Sequence, residues 1–99
     1  MKILTKAIKE KLIANHKAQD GTKSFKAVLK LFNPTGSGSW YLSELNPDNN
    51  NAFGLCCLTE EEFGYVNLDE LLSFKGQMGL GIERDKFFKP KSLEECRSL

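Results

Sequence analysis

Three cysteines, one histidine and thirteen carboxylates are the side chains here that could bind a metal or run a catalytic step. Their spacing argues against both. A metal site needs several ligands converging on one point. Cys56 and Cys57 are neighbours, and adjacent strand residues point to opposite faces, so the two cannot share an ion. Cys96 lies far along the chain. Nucleophilic catalysis needs a nucleophile, a base and an orienting group. His16 is the only imidazole, no Gly-x-Ser-x-Gly elbow exists, and a Cys57–His16 pair has no support in the pattern. The acids cluster as Glu60-Glu61-Glu62, as Asp69-Glu70, and as Glu83 and Asp85 around Arg84. These read as a turn, a helix start, and an ion-pair network with Arg84 or Lys86. The glycines of 76–81 follow neither the dinucleotide fingerprint nor the phosphate loop, and they follow a helix, not a strand. No catalytic residue, cofactor or metal is therefore expected.

Binding is the remaining chemistry, and charge is its clearest signal. The net charge of +1 conceals three blocks. Residues 1–30 carry eight lysines against Glu10 and Asp20. Residues 31–74 carry seven acids and no Lys or Arg. Residues 75–99 are mildly basic. Such a bipolar surface can orient a partner. Lys26 and Lys30 share a strand face, and Trp40 and Tyr41 are candidate stacking rings for nucleic acid. The aromatic middle of the chain is its acidic part, however, which opposes phosphate binding.

The elements that must hold these residues read as α+β. A helix over 5–17 is capped by Thr5 and carries Leu4, Ile8, Leu12 and Ile13 on one stripe. Asp20-Gly21-Thr22 stops it. Strands follow at 25–32, 40–45, 52–58 and 62–66, joined by short connections that predict a four-stranded antiparallel meander. Gly54 and Gly64 fall inside strands, where glycine marks a bulge or a close backbone approach. Asn67 with Glu70 opens a short helix whose leucines pack on the sheet, and Gly76 ends it. Residues 82–89 read as extended, anchored by Phe87 and Phe88. Ser92-Leu93-Glu94-Glu95 is a capping box opening a short final helix. Length and 40% apolar content fit one domain over 1–99 with one modest core. The start has no secretory h-region, and no apolar run approaches a membrane span. The odd cysteine count does not fit a secreted disulfide framework, so a cytoplasmic location is expected. An open meander has free edges, so the expected state is a monomer or weak dimer.

Several stretches carry a resemblance. They are Met1-Lys2-Ile3-Leu4-Thr5, Trp40-Tyr41-Leu42-Ser43-Glu44, Phe53-Gly54-Leu55, Glu62-Phe63-Gly64-Tyr65, Leu68-Asp69-Glu70-Leu71 and Gly79-Leu80-Gly81-Ile82-Glu83-Arg84-Asp85 with Phe88-Lys89-Pro90. Through them the chain resembles a family of small proteins of uncharacterised function carried on bacterial plasmids, phages and conjugative elements. Ile-Glu-Arg-Asp-x-x-Phe-x-Pro is the most specific piece. The chain departs from that pattern at Cys56-Cys57, where β-branched residues are commoner, and at Gly81, where proline is usual. No activity comes with the resemblance. It implies a genomic setting whose small proteins often bind and inhibit host defence nucleases, an argument by association.

The expected function is therefore a non-enzymatic mobile-element protein that inhibits a defence nuclease of the CRISPR or restriction type. The expected partner is a protein, a Cas or restriction nuclease. The expected contact face is Glu60, Glu61, Glu62, Glu83, Arg84 and Asp85. The alternative is a nucleic-acid-binding accessory factor for plasmid or phage maintenance.

Overall fold

A computed structural model describes residues 3–97. Met1 and Lys2, which begin the first stretch of the resemblance, lie outside the described residues. Helix α1 spans Lys6–Ala18, and the Thr5 hydroxyl caps it by accepting from the Ile8 amide at 3.2 Å. Strands β1 (Leu29–Phe32), β2 (Ser39–Leu45), β3 (Asn51–Cys57) and β4 (Glu61–Asn67) run as the expected antiparallel meander. Helix α2 covers Leu68–Ser73, with the Asn67 side chain accepting from the Glu70 amide. A single 3₁₀ turn fills Gln77–Gly79, and helix α3 runs over Leu93–Cys96. Both halves of the Ser92–Glu95 capping box are formed.

The sheet has five strands, not four. Strand β5 (Glu83–Arg84) pairs antiparallel with β1, giving the order β4-β3-β2-β1-β5. Two residues are too few for alternation to reveal. The extended stretch expected over 82–89 supplies them by lying along the free edge of β1. The first strand is also shorter than its pattern. The Val28 amide still donates to the Leu42 carbonyl of β2 at 2.9 Å, but Ala27 exchanges backbone hydrogen bonds with Lys91. Phe87, expected as an anchor, is 92% exposed, whereas Phe88 sits 5.8 Å from the Tyr41 ring.

Each face of the sheet has its own apolar cluster. On one face α1 and α2 bring Leu12, Leu68 and Leu71 onto Leu29, Leu31, Trp40, Leu42, Leu45 and Ala52. On the other, the C-terminal segment lays Leu93 and Cys96 on Ala27, Tyr41 and Leu55, with Phe53, Cys57 and Phe88 beside them. Helices α1 and α2 share the first face, toward which α1 turns its apolar stripe, and α3 packs on the second. The second face depends on chain that is nearly last in sequence.

Gly54 is where the backbones of β2 and β3 come closest. A Cβ there would collide with the Tyr41 carbonyl oxygen, so only glycine fits. Gly64 has open space around it and serves no such approach.

Candidate functional site

Strand β2 contains an irregularity that relocates a carboxylate. Strict alternation from Leu42 would place Glu44 on the helix-packed face and Leu45 on the other. Instead the register jumps between Leu42 and Glu44: Leu42 faces Gly54, Glu44 faces Phe53 and Leu45 faces Ala52. Ser43 is the extra residue of a β-bulge. Two leucines three apart can then enter one core, and Glu44 is turned onto the side of Phe53. The bulge frees the Ser43 carbonyl, which accepts from the buried Asn15 Nδ2 of α1 at 2.9 Å. Asn15 is thus the partner that a buried, unladdered carbonyl requires.

Glu44 lines a cavity of about 310 Å³ beneath the C-terminal segment, only 7% exposed itself. Phe25, Phe53, Phe63 and Leu93 form apolar walls, and Lys23 stands on the rim. Gln19, the residue capping the end of α1, fixes the carboxylate. Its Nε2 donates to Glu44 Oε2 at 2.9 Å and to the Lys23 carbonyl at 2.9 Å. Its Oε1 accepts from the Gly21 and Lys23 amides, which ties the loop down. Among the described residues, no cation lies within ion-pair distance of Glu44.

The aromatic wall continues onto the surface. Phe53 and Tyr65 rings lie 5.2 Å apart at 59°, and Tyr65 is 76% exposed. Phe63, 45% exposed, carries the Arg97 guanidinium 5.6 Å from its ring centroid. Phe63 and Tyr65 stand on β4, an edge of the sheet.

The six residues of the expected contact face fall into two groups. Glu60, Glu61 and Glu62 are exposed at the start of β4, while Glu83, Arg84 and Asp85 lie on and just after β5, at the opposite edge. The registers Glu61–Cys57–Ser39–Phe32–Glu83 place both on the same crosswise row. Four inter-strand steps separate them, about 19 Å. A fifth strand thus sets the second group at the opposite edge from the first. Much of that second group is engaged internally. Arg84 Nε donates to the Ile3 carbonyl at 2.7 Å, and Asp85 pairs with Lys30 at 3.8 Å and accepts from the Phe87 amide. The partner of Asp85 is thus Lys30, not Arg84 or Lys86.

The sequence-level chemical candidates are dispersed. Cys56 packs toward the helix-side core and Cys57 toward the opposite cluster, as neighbours on a strand must. His16 belongs to α1, on the far side of the sheet from the cluster that holds Cys57, so the two form no pair. Burial pushes all three thiols up from their ordinary values, and Glu62 and Glu61 add to this at Cys56 and Cys57 respectively. Among the described residues, no group of three or more His, Cys, Asp or Glu could hold a metal ion. None of the described helices is long and apolar enough to cross a membrane. Trp40 and Tyr41 are buried, so neither offers a stacking surface. Lys30 lies 5.4 Å from the Tyr41 ring centroid.

Glu44 was not among the candidate residues. Its signal was present as Leu42 and Leu45, a spacing of three inside a strand, which two-residue alternation cannot bury on one face without a bulge.

No curated protein and no solved structure matches the chain. One family model does, over residues 3–94, and its description is "Protein of unknown function (DUF2958)". The match takes in the helix-side cluster and all of the C-terminal cluster but Cys96, and the chain belongs to the DUF2958 family of proteins of unknown function.

Proposed function

We propose that this protein is a non-enzymatic binding protein whose β4 edge engages a protein partner with a basic surface. The observation that carries the reading is the exposed pair Phe63 and Tyr65, standing on an edge strand whose first residues are the acids Glu61 and Glu62. Exposed aromatics beside a run of carboxylates are the composition of an interaction surface, with rings supplying area and the rim supplying orientation. Glu60 extends the acidic rim into the preceding turn. In the mobile-element setting that the resemblance implies, the partner is a defence nuclease, a Cas or restriction enzyme whose nucleic-acid groove is basic. Inhibition by occupying that groove requires a surface and no chemistry.

The test is co-expression with a panel of Cas and restriction nucleases, reading interference with phage or plasmid. Wild-type protein is expected to relieve interference by at least one nuclease, and the pair F63A/Y65A to lose that relief while remaining folded. Unchanged interference across the panel overturns the inhibitor reading. The alternative accessory-factor reading rests on the exposed lysines of α1, Lys6, Lys9, Lys11 and Lys17. A salt-dependent gel shift with single- or double-stranded DNA would select it instead.

A further inference from the structure

We infer that the Glu44 pocket receives the ammonium group of a lysine side chain presented by the partner protein. The inference rests on the binding role proposed above and specifies what the partner must supply. Four observations converge. The cavity, about 310 Å³, is large enough for an alkylammonium side chain. Phe25, Phe53 and Phe63 line it, and aromatic ring faces attract cations. Glu44 is nearly buried within it and has a hydrogen bond from Gln19 but no cation among the described residues. The bulge at Ser43, held by Asn15, exposes this carboxylate to the pocket face instead of the helix-packed core.

A buried carboxylate costs stability unless it is paired and hydrogen-bonded. Here one hydrogen bond is internal, and the compensating charge is left to an incoming group. Gln19 takes one acceptor site of Oε2, which narrows the approach for the bidentate fork of an arginine. An ammonium is a point charge and can approach the remaining oxygen alone. Lys23 lines the pocket without pairing with Glu44, and Arg97, over Phe63, pairs with Glu94 instead.

The experiment titrates the isotopically labelled full chain with N-acetyl-lysine N-methylamide and follows backbone amide shifts by NMR. Saturable shifts are expected at Glu44, Phe53 and Phe63. The norleucine derivative, which has the same carbon skeleton and no charge, is expected to leave them unmoved. E44Q, which keeps an acceptor for Gln19, is expected to weaken binding about tenfold or more. F63L, at a half-exposed ring, is expected to weaken it several-fold and covers the case in which E44Q does not fold. Absence of saturable shifts, equal binding of norleucine, or tighter binding of the arginine derivative would overturn the inference. The titration contains no partner, so its failure leaves the interference result standing. A failed interference panel likewise leaves the pocket result standing.

Discussion

At Gly54 a Cβ would stand 2.8 Å from the Leu42 Cα and closer still to the Tyr41 carbonyl oxygen. Both are backbone atoms of the neighbouring strand and cannot swing aside. Gly54→Ala is expected to cost about 3 kcal/mol or more in urea unfolding, as overpacking against a rigid wall does. Gly64→Ala on the next strand, with nothing within 4 Å, is expected to stay within about 0.5 kcal/mol of wild type. The two glycines look alike in sequence, and only the neighbouring backbone distinguishes them. The thiols yield a second expectation at this scale. Burial favours the neutral form of Cys56, Cys57 and Cys96, and the nearby Glu62 and Glu61 oppose ionisation of the first two. Because the thiolate is the reactive species, all three are expected to react slowly with a disulfide reagent at neutral pH in the native protein. Urea should accelerate that reaction. Rapid labelling of native Cys57 would contradict this account.

Helix α3 shows how a four-residue element is held in place. It is too short to be stable alone, so its position depends on packing by Leu93 and Cys96 and on its cap. The Ser92 hydroxyl accepts from the Glu95 amide at 3.1 Å, and the Ser92 amide donates to Glu95 Oε1 at 3.2 Å. Ser92→Ala is expected to lose about 1 kcal/mol. The bond from the Ser92 amide, and then the Ser92 side chain, hold the Glu95 carboxyl below its ordinary value of 4.5. A carboxyl with a depressed folded value contributes stability above its unfolded value and loses it as pH falls through the folded one. Amide protection at Cys96 is therefore expected to be constant above about pH 5 and to fall below pH 4.5 in wild type, and to lose only part of that dependence in Ser92→Ala, which keeps the backbone amide. Strand β2 makes the complementary point. Its bulge determines which face each side chain from Glu44 onward occupies, and Asn15 of α1 satisfies the carbonyl that the bulge leaves unpaired.

For the molecule as a whole, the second face of the sheet is covered by the last part of the chain. A chain ending after Asp85 lacks Phe88, Leu93 and Cys96, which leaves Tyr41 and Leu55 open to water. It is expected to bind the dye ANS and to unfold at lower urea than wild type, because a two-faced sheet with one face bare exposes contiguous apolar surface. Equal midpoints and no dye binding would show that the C-terminal segment is not part of the core. Much of the architecture was legible beforehand. Thr5, Asn67 and Ser92 announced three helix starts through short side chains that satisfy free amides, and alternation with turn residues announced the meander. Those signals are local, so the sequence by itself determined where the helices begin and that the fold is α+β. The fifth strand, the Ala27–Lys91 bridge, the split of Glu60–Glu62 from Glu83–Asp85 across the sheet, and the turning of Glu44 into an aromatic pocket were decided only by tertiary structure. Each depends on which strand lies beside which, a pairing between residues distant in the chain that no local period encodes.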